Sequence, residues 1–374
     1  MRILQVCTNF LPGGIQRHVL DLTAYLRDHG HQVTLAGDAG DWGTPDDPDR
    51  ILLPLGMVAG TGGSTLRRMA ALVPVALTLR REIKTRRIDL VHSHETAPAL
   101  VVRLATAGMR MPRLMTFHGA EPDRETSVAR IARICADLTI SPSKTSLDSL
   151  IARGLPRERT RHLGLGIAPM PVLDPVAVAA LRRDLLGSKG RYLILSLSRL
   201  QPQKGIDVMV DVARRVVARE PGAVFAVAGK GPLLEQARSW ARDAGVEASF
   251  RFLGPVSTVP LHLAAADLFL LTSRWEALPI SIVEAFRAGL PAIATDCGGV
   301  RELIDGSVGA LLPVGDAAGI AGAILAMIAD PDMARRKATA ALARSTEPRF
   351  DPATVHAGFA ATYAELIAKA ASAR

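Results

Sequence analysis

Short apolar runs recur along the chain, each closed by a loop rich in glycine, serine or proline and followed by a stretch of helical spacing. The first run is "RILQVC" (2–7), then the loop "TNFLPGG" and an amphipathic helix predicted from Gly14 to about His29. "HQVTLAG" is the next strand, and further strands are predicted at 89–94, 113–118 and 136–143. A second series begins at 191–200 with "RYLILSLSRL" and continues through "AVFAVAGKG", "ASFRFLG", "ADLFLLTS", "PAIATD" and "GALLP". Near-continuous apolar strands suit parallel sheets covered on both faces. Strand–helix alternation also places ligand loops at the carboxyl ends of the strands. The Pro-rich stretch 164–175, "GLGIAPMPVLDP", reads as a hinge. The expected division is therefore 1–170 and 171–350, two Rossmann-like α/β domains, followed by a helical segment in 351–374.

Composition narrows this picture. A length of 374 residues suits two domains of ordinary size. Hydrophobic content is 48% with only 4% aromatic, so the cores are aliphatic. The formal net charge is +9, and the first 170 residues hold 22 Lys and Arg against 16 Asp and Glu. Cys7, Cys135 and Cys297 form no metal spacing, and a reducing cytoplasm is the expected compartment. "MRILQVCTNF" reads as a strand rather than a secretion signal. No apolar window is long enough to span a bilayer, and the best candidate, 70–79, is too short. Segment 67–87 carries Arg67, Arg68, Arg80, Arg81, Lys84, Arg86 and Arg87 around that window. It is either a contact for an anionic membrane surface, peripheral at the inner face, or a solvated helix face. Nucleic acid is excluded as a partner, because no aromatic residues interleave the basic ones and no binding motif occurs.

The chemistry concentrates in "LLTSRWEALPISIVEAFRAGLPAIATDCGG". Pro279 sits where a helix's first turn tolerates a missing N–H, Gly289 is the stop, and Pro291 blocks continuation. Glu276 falls just outside this helix and Glu284 inside it, among Ile282, Val283 and Ala285. A carboxylate in apolar company wants hydroxyl donors, which a sugar or ribose supplies. "SRLQPQKG" puts Arg199 and Lys204 on the loop after the first strand of the second series, where a doubly wound fold binds phosphate. A planar fork and a mobile point charge together suit a diphosphate. "LPGGIQRH" supplies Gly13 and Gly14 at a helix entry, where backbone can approach a ligand closely.

Taken in order, "FLPGGIQRHVLDLTAYLRDHGHQVTLA", "IDLVHSHE", "MTFHG", "LSLSRLQPQKG", "AGKGP" and the Glu-x7-Glu pair followed by "AGLPAIATDCGG" resemble the retaining nucleotide-sugar glycosyltransferases of the GT-B type, group 1, family four. The resemblance covers almost the whole chain. It implies two doubly wound Rossmann-like domains facing each other across a cleft, with the last helix crossing back to the first domain. It implies transfer of a sugar from a nucleotide diphosphate donor, with UDP or GDP as the nucleotide, to a hydroxyl acceptor. That acceptor is a saccharide or lipid-linked glycan in polysaccharide or glycolipid synthesis.

By the same resemblance, Glu284 binds the ribose hydroxyls and Glu276 positions the transferred sugar. Leu278, Pro279 and Ile280 line the donor, although many members carry Glu-Gly-Phe-Gly where this chain has Glu276-Ala277-Leu278-Pro279. His118 lines the donor sugar and the reacting bond, Gly13 and Gly14 face the donor, and "AGKGP" and "FLGPVS" frame the nucleobase. No cofactor or essential metal is implied. Asp47-Pro48-Asp49 has the Asp-x-Asp spacing of metal-holding transferases, but it lies in a turn-rich polar loop. His92 and His94 read as a strand end rather than a zinc site. The competing readings are an epimerase or phosphorylase on the same scaffold and an inactive sugar-nucleotide-binding protein.

Overall fold

In the computed structural model the described residues are 1–42, 47–59 and 65–372, with backbone alone for 65–69. Two compact units result, Met1–Gly166 with Asp351–Arg374, and Ile167–Phe350.

The strands of the first unit are β1 (Arg2–Asn9), β2 (Gln32–Asp38), β3 (Arg50–Leu52), β4 (Leu90–His94), β5 (Arg113–Thr116), β6 (Leu138–Ser141) and β7 (Thr160–His162). They form one sheet in the order β3-β2-β1-β4-β5-β6-β7, all pairs parallel. Its helices are α1 (Gly14–Asp28), α2 (Leu55–Ala59), α3 (Thr65–Thr85), α4 (Thr96–Ala105), α5 (Glu125–Cys135) and α6 (Lys144–Ala152). Successive strand residues point to opposite faces. Leu4 and Val6 pack with Leu79 and Ile83 of α3 and Val101 of α4. Ile3 packs on the other face with Leu22 and Leu26 of α1 and with Val355, Phe359 and Tyr363. Those last three belong to the chain's final helix, Pro352–Ser372, so this helix completes the first unit's core.

The second unit contains α7 (Pro175–Leu186), β8 (Tyr192–Leu197), α8 (Ile206–Val217), β9 (Ala223–Ala228), α9 (Leu234–Asp243), β10 (Phe250–Gly254), α10 (Val259–Ala265) and β11 (Leu268–Leu271). It continues with α11 (Ile280–Arg287), β12 (Ala292–Thr295), β13 (Gly309–Leu312), α12 (Ala317–Ala329) and α13 (Pro331–Arg344). The sheet runs β10-β9-β8-β11-β12-β13, again with every pair parallel.

Both sheets are doubly wound. The direction of strand addition reverses beside β1 in the first and beside β8 in the second, and a crevice opens at the carboxyl ends of such strands. The loops after β1 and β4, and those after β8 and β11, are therefore the places where ligand chemistry belongs.

The short edge strands β3 and β7 were not among the predicted ones. Each has three residues, too few to show a period. β7 has no apolar residue and the apolar stretch opened by β3 is cut at Pro54, so pairing with β6 or β2 makes each a strand. Among the described residues no single helix is long and apolar enough to cross a membrane.

Candidate active site

In the second unit two loops are stitched together at the switch point. The Thr272 hydroxyl lies 2.9 Å from the Lys204 carbonyl and 3.0 Å from that of Gly205. The Gln203 amide donates to the Trp275 carbonyl at 2.9 Å. Arg274 donates to the Pro202 carbonyl and pairs with Asp207 at 2.6 Å, which lowers the Asp207 pKa against the opposing effect of burial. Gly205 is left-handed at φ +59°, and a Cβ there would stand 2.2 Å from the Thr272 carbonyl oxygen. Only glycine lets the loop after β8 lie this close to the loop after β11.

This stitching brings Lys204 onto Glu276, two of the predicted site residues. Lys204 Nζ pairs with Glu276 Oε1, and the Ser273 hydroxyl donates to the same oxygen at 2.7 Å. Both charged side chains are nearly enclosed, 12% and 9% exposed. Glu276 is therefore a counter-charge, and no side chain caps α11. Beneath it the Cys297 thiol is pushed up to about 12, first by burial and then by the Glu276 charge. Ser273 was absent from the sequence expectations, because a serine in a strand-end loop carries no signal until its neighbour is known.

Arg199 stands exposed on the same loop; its carbonyl accepts from Gln201 N–H at 2.8 Å, and its guanidinium has no hydrogen bond or ion pair to any described residue. "AGKGP" folds over this loop: Leu200 N–H donates to the Lys230 carbonyl, and a Cβ on Gly231 would come within 2.2 Å of the Leu200 carbonyl oxygen.

The helix α11 corrects one expectation. Ile282, Val283, Ala285 and Phe286 are buried, but Glu284 is only half-buried and is not an interior carboxylate. At 3.6 residues per turn it falls one turn after the half-exposed Ile280, on the stripe opposite the core. Leu278 and Pro279 are buried. Leu278 can thus offer a ligand mainly its backbone, whereas Ile280 and Glu284 can offer side chains.

In the first unit Gly13 is the extended residue before α1, and Gly14 is exposed. No side chain caps α1, and the Gln16 amide instead reaches the Asn9 carbonyl at 3.1 Å. Across the switch point Glu95 adopts φ +77° and accepts from the Thr8 hydroxyl at 2.8 Å. A left-handed conformation is costly for a glutamate and concentrates at functional loops. The sequence reading contained "HSHE" but assigned Glu95 nothing, since backbone strain leaves no mark in composition.

His118 follows β5, and His94 ends β4. Their rings meet through His94 Nδ1 and His118 Nε2 at 3.2 Å, and His94 Nε2 lies 3.0 Å from Gln5 Oε1. His92 is held by the Tyr363 hydroxyl and by Thr116, each at 2.7 Å. His18 and His356 pack beside this group. Burial lowers the pKa of every one of them, that of His118 to about 3. They are neutral at physiological pH. No group of three or more His, Cys, Asp or Glu among the described residues is placed to hold a metal. Asp47 and Asp49 are engaged by Arg27 and Arg86.

Residues 12–169 match the model of Glycosyltransferase Family 4, and residues 178–344 that of glycosyl transferases group 1. The chain is 31% identical to a GDP-mannose-dependent alpha-(1-6)-phosphatidylinositol monomannoside mannosyltransferase of Mycobacterium tuberculosis, over 89% of this chain and 90% of that one. It is 28% identical to a glycogen synthase of the same organism, over 97% and 94%. The crystal structure of Anabaena HepE in complex with UDP-glucose superposes with a TM-score of 0.80 at 23% identity, covering 98% of this chain and all of the other. The fold is thus GT-B, and the chain belongs to the group 1, family 4 glycosyltransferases. It is an enzyme that transfers a sugar from a nucleotide donor.

Proposed function

We propose that the transfer proceeds with retention of anomeric configuration and without an essential metal, from a nucleoside diphosphate sugar to a hydroxyl of a saccharide or lipid-linked acceptor. The observation that carries this reading is the Lys204–Glu276–Ser273 cluster beside exposed Arg199 at the second sheet's switch point. Arg199 and Lys204 supply the positive charge that a leaving diphosphate requires as its bond to the sugar breaks. A diphosphate is a stronger partner for Lys204 than one carboxylate, and Glu276 then becomes available to sugar hydroxyls. Glu284, projecting from α11 beside Ile280, suits the ribose.

Retention is favoured by what the candidate bases are doing. Glu276, once the diphosphate has drawn Lys204 away, is taken up by the sugar hydroxyls and by Ser273, and His118 binds a proton only near pH 3. Neither matches a general base at neutral pH. Displacement on one face of the sugar needs none. The bond from the anomeric carbon to phosphate oxygen breaks, the acceptor oxygen bonds to that carbon from the same side, and its proton passes to the departing phosphate.

The donors to test first are UDP-glucose and GDP-mannose, named for HepE and the mannosyltransferase. Glycogen synthase and the mannosyltransferase likewise point to polysaccharide or glycolipid acceptors. The enzyme would work in the cytoplasm, at the inner membrane face when its acceptor is lipid-linked. Free nucleotide release from a donor panel, with and without acceptors and EDTA, tests the proposal, together with the anomeric configuration of the product by NMR. An inverted product, or turnover abolished by EDTA and restored by manganese, would overturn it.

A further inference from the structure

In the first unit a run of hydrogen bonds leads from the backbone of α1 to His118, and its direction can be worked out donor by donor. The Val19 carbonyl can only accept, and the Thr23 hydroxyl donates to it at 2.7 Å. With its one proton committed, Thr23 Oγ1 accepts from Gln5 Nε2 at 2.8 Å. The Gln5 amide is thereby oriented with Oε1 towards His94 Nε2, 3.0 Å away. An amide oxygen only accepts, so His94 carries its proton on Nε2 and a lone pair on Nδ1. His118 Nε2 lies 3.2 Å from that lone pair and must therefore be the protonated nitrogen. Nδ1 of His118 is left unprotonated.

The surroundings enforce this order. Gln5 and His94 are fully buried and Thr23 is buried. His18 packs edge-on against both rings, with centroids 5.8 and 5.7 Å away, and neither of its nitrogens bonds to them. Nothing on that side competes to set the tautomer.

We infer that Gln5, Thr23 and His94 are positioning residues that lock His118 in its Nε2–H tautomer, so that Nδ1 is a fixed acceptor for one hydroxyl of the transferred sugar. The inference rests on the reading that His118 lines the sugar. A free imidazole samples both tautomers, and a sugar hydroxyl can turn to suit either. A fixed acceptor obliges that hydroxyl to donate, which selects one orientation of the ring.

The test has two arms on the full chain. The first is the 15N spectrum of the imidazole nitrogens at neutral pH. Wild type should show His94 and His118 neutral, each with Nε2 protonated and Nδ1 not. Gln5→Met and, separately, Thr23→Val break the run while keeping apolar volume, and both rings should then become tautomer mixtures. The second arm is nucleotide release from UDP-glucose and GDP-mannose, where the same variants should lose about tenfold in kcat with KM unchanged, the loss of one oriented hydrogen bond.

An Nδ1–H on either ring of wild type would overturn the inference, even if neither variant folds. Unchanged tautomers in both folded variants would do the same. A shifted tautomer with wild-type kcat, alongside an inactive His118→Ala, would remove the positioning role and leave His118 at the sugar. Full turnover by His118→Ala would instead remove the sugar-site reading, and the role with it.

Discussion

Lys204 and Glu276 share a nearly enclosed volume, so removing one partner leaves the other charged and largely out of water. Lys204→Ala should therefore lower both turnover and stability, the latter by roughly 1–3 kcal/mol once the Ser273 bond and residual exposure are allowed for. The Arg199 side chain has no protein partner among the described residues, and Arg199→Ala should cut turnover with the melting temperature unchanged. Thermal melts and turnover of the two variants side by side check this contrast. If Arg199→Ala turned over like wild type, the phosphate would have to be placed elsewhere. Glu284 is half-buried on the stripe of α11 opposite the core, so Glu284→Gln, which keeps the side chain's shape, leaves the core packing of α11 in place. It replaces one acceptor oxygen by a donor and removes the charge that strengthens hydrogen bonds from ribose. Nucleotide affinity should weaken about tenfold or more, and discrimination against 2′-deoxyribose donors should vanish. Calorimetric titration of both nucleotides into both proteins measures it.

At the scale of elements, the site is held by loops that approach each other more closely than side chains allow. A Cβ on Gly298 would stand 1.8 Å from the Glu276 carbonyl oxygen, at a φ of +52°. Gly298→Ala should destabilise the second unit by about 2–4 kcal/mol, as backbone strain and a rigid clash combine. Denaturant unfolding followed through Trp240 and Trp275 reports on that unit. The helix α3 poses a different question. Arg80 is used on the carbonyls of Ala105 and Ala107, and Arg86 on Glu82 and Asp49, while Arg67 and Arg68 lie outside the described side chains. Arg81, Lys84 and Arg87 remain exposed with Val73 and Leu77. Binding to vesicles rich in phosphatidylserine should fall about tenfold or more in Arg81→Glu/Lys84→Glu, at about 1 kcal/mol per charge. Equal sedimentation of variant and wild type with such vesicles would make this a solvated face.

For the whole molecule, histidine is distributed unevenly between the units. The second unit has only His262, whereas the first holds buried His18, His92 and His94, together with His118 and His356. Their folded pKa values are lowered by burial, so below the ordinary value near 6.5 the unfolded chain binds protons that the folded chain refuses. Stability is therefore intact above about pH 6.5 and falls with pH through the window down to about 3, the value for His118. Each such histidine contributes a slope of about 1.4 kcal/mol per pH unit while its folded form stays unprotonated, and the five together at most about 7. The first unit should unfold between roughly pH 6 and 4 while the second persists. Hydrogen exchange across that range checks it, and simultaneous loss of protection in both units would contradict it.

All six strands of the second sheet were legible in the sequence. The inner four were so because strands buried on both faces need near-continuous apolar runs, and the half-buried edge strands β10 and β13 because each still carries a short apolar run ended by glycine or proline. The motif order was legible too, and with it the family, as were the bounds of α11, marked by Pro279 and Gly289. The edge strands β3 and β7 were not, since their pairing partner rather than their own residues makes them strands. Nor was the exposure of Glu284, because its apolar neighbours in sequence turn to the other side of the helix. The pairing of Lys204 with Glu276 spans 72 residues, and that of Gln5 with His94 spans 89. Local periodicity encodes which side of an element is buried. Which two loop ends meet is fixed by strand order, and that order is decided only when the crossovers have packed.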